Sequence, residues 1–423
     1  MHKGLLISLA VLFLINILNF YDRHVFGALA EPIKHEFQLS DAQIGFIGSA
    51  FIWLYAVIGV PLGRLADRVR RKRLLAAGVG VWSLFTAANG LAQGFSHLVA
   101  SRLGVAVGEA VVAPAATSWL GDLFPAQQRS RALALFMLGV PVGGALSYFL
   151  SGPMAQALGW RVAMMAAAAP AVVLIPVLLW LTEPARGASE AAGTHAIDRG
   201  SIWRVLRIPT LWWIIASGAL LNFNMYAYGT FLVSFLIRIH GLSLREAGIL
   251  TGVIYAVGGV AGGMLAGPLG DRISRRRKDG RLLVAATIAV IGVPLAYFGI
   301  MGTNLAAAVA LLALAYGACN TYYGPVYSSI QDIVPPSLRG TTMSLYFLFM
   351  YMCGASMGPL LTGALSDWRA RVAAEAAGST AITAAFRATG LQEAMLAIPV
   401  LSVLLGLVLW GGSRTIARDM ERV

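Results

Sequence analysis

Two oppositely charged residues, Asp22 and Arg23, stand side by side within the first long apolar stretch of the chain. Residues 4–30 are long and apolar enough to form one membrane-crossing helix, which would place both charges inside it. An ionised side chain at mid-bilayer costs about 2.5–3.5 kcal/mol on insertion scales, so such groups usually face a partner or a water-filled cavity. The pair is a candidate functional site. The alternative is a pair near the helix end whose charges reach the interface.

Candidate partners stand in the fourth apolar stretch, where Arg102 and Glu109 are seven residues apart. This spacing puts them on one helix face, about 10 Å apart along the axis. If the first span runs outward and the fourth runs inward, Asp22 and Arg102 lie at depths that agree to within one turn. We expect the Asp22 carboxylate to pair with Arg102, while Glu109 faces the cavity near mid-bilayer.

The four embedded charges of Asp22, Arg23, Arg102 and Glu109 sum to zero, so the set can pair completely. Protonation of Asp22 would free Arg102 to bind a substrate anion or Glu109. A carboxyl that alternates between these environments is suited to carry a proton, because burial favours its neutral form and a nearby arginine its charged form. The alternative is a static salt bridge that joins the first and fourth spans.

The composition identifies a membrane protein with many spans. Of 423 residues, 58% are hydrophobic and only 12% charged, whereas soluble domains are about one quarter charged. The net charge of +13 comes from short basic runs between apolar stretches, which argues against a nucleic-acid partner. The two cysteines, Cys319 and Cys353, lie in apolar stretches and indicate neither a disulfide nor a metal site. No catalytic set or cofactor motif is present, so we expect neither an enzyme nor a cofactor.

Twelve apolar spans of about 20 or more residues can be drawn, each long enough to cross the hydrocarbon core. They are residues 4–30, 41–63, 74–94, 97–122, 130–152, 161–182, 209–237, 244–268, 282–301, 305–332, 339–363 and 391–412. Of the 32 lysines and arginines, 23 lie on the face that holds both termini, seven lie on the opposite face and two are embedded. The bias predicts a multi-pass protein of the inner (plasma) membrane with both termini cytoplasmic.

An internal repeat divides the chain. Residues 63–73 and 267–277 share the pattern G-x-L-x-D-R-x-x-R, followed by two basic residues, and lie six spans apart. The stretch 183–207 separates six spans from six, so we predict helical domains over 1–182 and 208–423 with a cytoplasmic linker between them. Two related halves of this kind are typical of transporters.

These features resemble the Major Facilitator Superfamily. The resemblance implies an all-α membrane protein of twelve transmembrane helices, arranged as two pseudo-symmetric six-helix bundles, that works by alternating access. It also favours a gating role for the two repeated loops; the alternative is that their charge serves topology alone. The gating candidates are Asp67, Arg68, Arg71, Asp271, Arg272 and Arg276.

Further motifs resemble the Spinster branch of that superfamily. They are N-F-Y-D-R from Asn19, G-E-A from Gly108, D-L-F-P from Asp122, P-V-G-G-A-L-S-Y from Pro141 and Q-D-I-V-P-P from Gln331. The resemblance implies a lysophospholipid or sphingoid substrate, with Asp22 as the proton-sensing acid and with Arg23, Arg102 and Glu109 as its polar network. The N-x-x-D-R and G-E pieces also occur in anion:cation symporters for sugar acids.

We therefore expect a proton-coupled transporter of an amphipathic lipid, present as a monomer in the bilayer. Besides Arg23 and Glu109, the candidate substrate contacts are Asn222, Asn224, Tyr226, Asn320 and Tyr323, although aromatic residues at helical spacing often serve packing. The alternative is a proton-coupled symporter for a small organic anion, held by Arg23 and Arg102. The second half shows no basic residue in its membrane core, which favours the lipid substrate.

Overall fold

The computed structural model describes residues 3–66, 68–185, 202–274, 277–335 and 338–421. These residues fold into helices joined by short turns. In chain order the helices are α1 Lys3–Ala28, α2 Ala30–Phe37, α3 Asp41–Ala66, α4 Arg71–Asn89, α5 Phe95–Glu109, α6 Val112–Leu123, α7 Ala126–Met137, α8 Gly139–Leu158, α9 Trp160–Ala168, α10 Ala171–Trp180, α11 Ile202–Leu206, α12 Pro209–His240, α13 Leu244–Val253, α14 Gly259–Ser274, α15 Gly280–Met301, α16 Leu305–Asn320, α17 Tyr323–Asp332, α18 Arg339–Phe349, α19 Met357–Ala376, α20 Ala384–Met395 and α21 Ala397–Met420.

The predicted all-helical membrane fold is confirmed. Within the described ranges, eleven helical segments are long and apolar enough to cross a membrane, several of them built from two consecutive helices. The predicted third span corresponds to α4, a helix of 19 residues whose first turn carries Arg71, Lys72 and Arg73 and is therefore less apolar. Large apolar side chains lie exposed on the helices, as Val172 and Trp180 do on α10, and lipid is the solvent that suits them.

Several boundaries differ from those predicted. The first span ends at Ala28, and the short polar helix α2 follows it. The fourth span is interrupted at Ala110–Val111, between α5 and α6. The last helix extends to Met420, eight residues beyond the predicted end, because its final turns remain helical after the apolar stretch stops.

The chain separates into two compact units. The first contains Met1–Leu39, Ala50–Thr194 and Ser243–Gly252, and the second contains Ser40–Ser49, His195–Leu242 and Val253–Val423. Each unit thus includes one short segment from the other half of the sequence: Ser243–Gly252 in the first unit and Ser40–Ser49 in the second. Helix α3 begins in the second unit and continues in the first, and α13 begins in the first and ends in the second.

Close helix crossings at two glycines build the part of the first unit that holds the charged cluster. A Cβ atom on Gly143 of α8 would lie 2.4 Å from the carbonyl oxygen of Ile17, so only glycine allows α8 to approach α1 this closely. A Cβ atom on Gly108 of α5 would lie 2.5 Å from the main-chain nitrogen of Trp82 on α4. The charge-bearing helices α1 and α5 are each fixed by such a contact.

In the second unit the long helix α12 packs against α21 and α19 and against the π-helical segment Met350–Ala355. A second π-helical segment, Ile254–Gly258, joins α13 to α14. Single π-helical turns inside α-helices frequently occur at functional sites. The core is apolar and rich in tyrosine: Tyr322 and Tyr346 are both almost fully buried.

Candidate functional site

The four charged residues predicted to form a network do meet in the first unit. Asp22 and Arg23 lie in the last third of α1, and Arg102 and Glu109 lie two turns apart on α5. All four are buried, with exposed fractions of 0% for Asp22 and Glu109, 4% for Arg102 and 7% for Arg23. Charges this deep require compensation from their neighbours.

The ion pair inside this cluster joins Arg23 to Glu109. The Nε and Nη2 atoms of Arg23 donate to Glu109 Oε2 at 3.1 and 2.9 Å. Aromatic rings surround the same guanidinium, whose central carbon lies 4.5 Å from the ring centre of Tyr55 and 4.8 Å from that of Phe20. The pair is therefore enclosed by rings that favour a cation.

Arg102 takes a different position from the one predicted. Its Nη1 and Nη2 atoms donate to the main-chain carbonyl oxygens of Asp22 and Arg23, at 3.3 and 3.5 Å. Its guanidinium carbon lies 4.6 Å from the ring centre of Phe51. Arg102 thus contacts the main-chain carbonyl of Asp22 and not its carboxylate.

The expected carboxylate–guanidinium pair of Asp22 with Arg102 is not formed in this conformation. Within the described residues, neither carboxylate oxygen of Asp22 has a hydrogen-bond partner. Glu109 also differs from expectation, because it is fully buried against Arg23 instead of facing open space. The depth estimate predicted the pair of Asp22 with Arg102, whereas the ion pair in the structure joins Arg23 to Glu109.

Polar groups of α8 extend the cluster along α1. The Tyr21 hydroxyl lies 2.9 Å from Ser151 Oγ, and His24 Nδ1 lies 3.3 Å from the Tyr148 hydroxyl. Tyr148 and Ser151 are fully buried. The polar surface around Asp22 therefore continues through one face of α8.

The predicted substrate contacts of the second half form separate groups within the second unit. The Tyr323 hydroxyl donates to Asn222 Oδ1 at 3.2 Å, which brings these two candidates together. Asn224 points elsewhere: its Nδ2 atom donates to Ser402 Oγ and the Ile398 carbonyl on α21, at 3.0 and 3.3 Å. It therefore joins α12 to α21 and is fully buried.

Asn320 and Tyr226, the other two candidates, are each partly exposed. Asn320 donates to the carbonyl of Tyr316, four residues earlier on α16. Four of the five candidates in the second half therefore stay predictions as substrate contacts: Asn222, Tyr226, Asn320 and Tyr323. The hydrogen bonds of Asn224 instead join two helices.

Among the gating candidates, Arg71 is the centre of a buried network. It is fully buried and donates to the carboxylates of Asp122 and Glu183, the latter at 3.1 Å from Nε. It also bonds the carbonyl oxygens of Ser118 and Pro184. Arg71 therefore joins the start of α4 to the end of α6 and to the chain that follows α10.

The remaining gating candidates are exposed or lie outside the described part of the chain. Arg68 and Arg272 are exposed. Asp67, Arg276 and the side chain of Asp271 fall outside the described residues.

An ion pair of matching position occurs in the second unit. Arg281, near the start of α15, pairs with Asp332, at the end of α17. Arg281 and Asp332 are 51 residues apart, and so are Arg71 and Asp122. Sequence reasoning missed this second repeat of the two halves, although both acids stand in motifs that it quoted.

A second buried cluster, also missed, surrounds the first turn of α3. Both oxygens of Asp41 accept from Arg238 at 2.8 and 2.9 Å, and the Ser366 hydroxyl donates to Asp41 Oδ2 at 2.7 Å. The Asp367 carboxylate accepts from the main-chain N–H groups of Asp41 and Ala42. An acid at this place satisfies free donors of the helix start.

Comparison with known proteins agrees with this architecture. The model of the Major Facilitator Superfamily matches residues 12–359. An MFS-type efflux pump of Mycolicibacterium smegmatis is 34% identical over 361 residues, which cover 85% of this chain and 84% of that protein. Human protein spinster homolog 1 is 28% identical over 393 residues, covering 85% and 72%. The crystal structure of a bacterial homologue of the human lysosomal transporter Spinster, inward-facing and unoccupied, has a TM-score of 0.89 at 28% identity and covers 99% of each chain.

Proposed function

Since the chain belongs to the Major Facilitator Superfamily, as a relative of its Spinster proteins, we propose that it is a proton-coupled transporter of an amphipathic, lipid-like substrate. The substrate is of the lysophospholipid or sphingoid type, and transport proceeds by alternating access. Asp22 is the proton switch. The multi-pass protein resides in the inner membrane with both termini cytoplasmic.

One observation carries the proton role: a fully buried carboxyl, Asp22, has no hydrogen-bond partner for either oxygen within the described residues, while its neighbours Arg23 and Glu109 are paired. An ionised carboxylate in that position would be costly. The conformation therefore suits a protonated Asp22. When the proton leaves, the carboxylate attracts Arg102, which then gives up its two carbonyl contacts.

The substrate class is supported by the surroundings of the charges. Arg23 is enclosed by the rings of Phe20, Phe51 and Tyr55, and Arg102 by those of Phe26 and Phe51. If an anionic head group took the place of Glu109 as the partner of Arg23, these rings would surround the apolar part of the lipid next to the head group. In the second unit, Asn222 and Tyr323 supply amide and phenol groups within an aromatic region.

The proposed direction is export coupled to proton entry. The efflux pump of Mycolicibacterium smegmatis is named for that direction and is the relative with 34% identity. The same residues would also serve import, because a buried carboxyl that alternates its exposure couples either direction.

A small organic anion is the second candidate substrate, since Arg23 or Arg102 can hold a carboxylate through two parallel hydrogen bonds. A ligand that binds the folded state tightly raises its stability, by about 2.7 kcal/mol at 100 times the dissociation constant. Thermal unfolding of the purified protein with a lysophospholipid, a sphingoid base or a sugar acid separates the two candidates. Stabilisation by the sugar acid alone would overturn the lipid substrate.

The proton role is tested by Asp22→Asn in proteoliposomes with an imposed pH gradient. We expect gradient-driven transport of the stabilising substrate to fall at least tenfold, while exchange down the substrate gradient continues, because asparagine carries no exchangeable charge. Glu36→Gln is the control, since that acid forms a half-exposed pair with Arg161 outside the cluster. Unchanged gradient-driven transport in Asp22→Asn would refute the switch.

A further inference from the structure

Two buried donors of α4 that neighbour Asp22 suggest a role that the charges alone do not explain. We propose that Trp82 and Thr86 are positioning residues that receive the Asp22 carboxylate when it ionises and so set the pH at which the site exchanges its proton. The inference rests on the proposed function of Asp22.

Trp82 and Thr86 lie one turn apart on α4 and therefore share a helix face. Both are neighbours of the Asp22 carboxyl and can act on it as hydrogen-bond donors. Both are buried, with exposed fractions of 0% and 1%. Within the described residues, Trp82 Nε1, Thr86 Oγ1 and both carboxyl oxygens of Asp22 lack hydrogen-bond partners. Two unsatisfied donors thus lie beside two unsatisfied acceptors.

The two donors favour the ionised acid, because a carboxylate accepts at both oxygens and a neutral carboxyl uses one of them to donate. An indole N–H only donates, so Trp82 can serve only an oxygen that accepts. A hydroxyl donates or accepts, so Thr86 can bond the carboxyl in either protonation state. A helical threonine commonly donates to the carbonyl of the preceding turn, but here Thr86 does not. Its hydroxyl is left for Asp22.

Other groups around Asp22 are charged or belong to its own helix. Arg102 and Glu109 face it from α5, and Tyr21 is an electrostatic neighbour on α1. Arg23 and His24 follow it directly on α1 and add a guanidinium and an imidazole. The donors of α4 are neutral, so they stabilise the carboxylate without changing the charge sum of the cluster.

Packing brings α4 into reach. Gly108, which directly precedes Glu109 on α5, lets α4 approach α5 closely at Trp82. A larger residue there would displace the indole. Trp82 is consequently held in place by α5, the helix that also carries Arg102 and Glu109.

The test follows the protonated Asp22 by its carboxylic acid C=O stretching band in infrared spectra of the reconstituted full chain, titrated across pH. The band is assigned as the one that Asp22→Asn removes. Trp82→Phe and Thr86→Val are each expected to shift its midpoint upward by about one pH unit, the effect of losing one hydrogen bond to a charged acceptor. Thr86→Ser keeps the hydroxyl and should restore the wild-type midpoint.

Trp119→Phe is the matched control, because Trp119 of α6 is also fully buried with an unpartnered Nε1 within the described residues. Midpoints of Trp82→Phe and Thr86→Val that equal the control's would overturn the inference and leave the function of Asp22 standing. Thr86→Val and Thr86→Ser decide the matter if Trp82→Phe does not fold. Gradient-driven transport that persists in Asp22→Asn would instead overturn the proposed function, whatever the midpoints of the two donor variants are.

Discussion

At the scale of single residues, the pairing inside the charged cluster is the main difference between prediction and structure. The depth estimate matched Asp22 with Arg102 and placed Glu109 deeper, towards the cavity. The structure instead pairs Arg23 with Glu109, while Arg102 donates to the main-chain carbonyl oxygens of Asp22 and Arg23, contacts that no sequence pattern reveals. The residues of the site could be predicted from their type, while their partners depend on side-chain reach.

Glu109→Gln is expected to destabilise the protein by about 3 kcal/mol, because the Arg23 guanidinium would remain buried without a counter-charge. The measurement is thermal unfolding in detergent micelles. Replacing both Arg23 and Glu109 by methionine should recover most of the loss, since it removes both charges.

The control for Glu109→Gln is Glu36→Gln, which breaks a much more exposed Arg–Glu pair of the first unit. The side chains of Arg161 and Glu36 are 37% and 42% exposed, so that change should cost less than about 1 kcal/mol. Equal losses in the two variants would contradict a stabilising role for the buried pair.

The acid Glu183 provides a test by pH. Burial raises the pKa of Glu183. Hydrogen bonds from the main chain and side chain of Arg71 and from the main chain of Lys72 lower this pKa by more than burial raises it, so it lies below the ordinary 4.5. A lowered folded-state pKa contributes stability above pH 4.5 that is lost as the pH falls through the folded value.

The melting temperature of the wild type should therefore exceed that of Glu183→Gln at neutral pH, by an amount that corresponds to about 1–2 kcal/mol. The difference should shrink as the pH falls below 4.5 and the carboxylate becomes protonated. A difference that stays constant across this range would show that packing, and not charge, accounts for it.

At the scale of helices, hydropathy predicts which segments cross the membrane, while contacts decide where they begin and end. Helix α3 begins at Asp41, whose carboxylate pairs with Arg238 on α12 and whose N–H donates to Asp367 on α19. These residues are far apart in sequence. No local pattern could connect them.

Arg238→Gln is expected to loosen the first turns of α3, because it leaves the Asp41 carboxylate buried and partly uncompensated, a loss of about 3 kcal/mol. Hydrogen exchange measures the effect: peptides from residues 40–49 should exchange faster, while peptides from α5 stay unchanged. Arg245→Gln is the control, since it removes one exposed charge nearby in the sequence. Equal exchange in both variants would show that the cluster does not hold the helix start.

At the scale of the whole chain, composition and the loop repeat were sufficient to predict a twelve-span transporter fold. Two further symmetries appeared only in the structure. The Arg71–Asp122 and Arg281–Asp332 pairs share their spacing, and short segments are exchanged between the two units. The exchange could not be predicted, because hydropathy assigns a span to its neighbours in sequence and carries no information about long-range packing.

The exchanged segments have a consequence for how the protein is made. The first unit includes Ser243–Gly252, so it is complete only after the ribosome has synthesised α12 and nearly all of α13. The second unit includes Ser40–Ser49, which are synthesised long before the rest of it. Neither unit can therefore finish folding as a consecutive stretch of nascent chain. Residues near Asp41 must wait in the membrane for partners that appear about 200 residues later, such as Arg238.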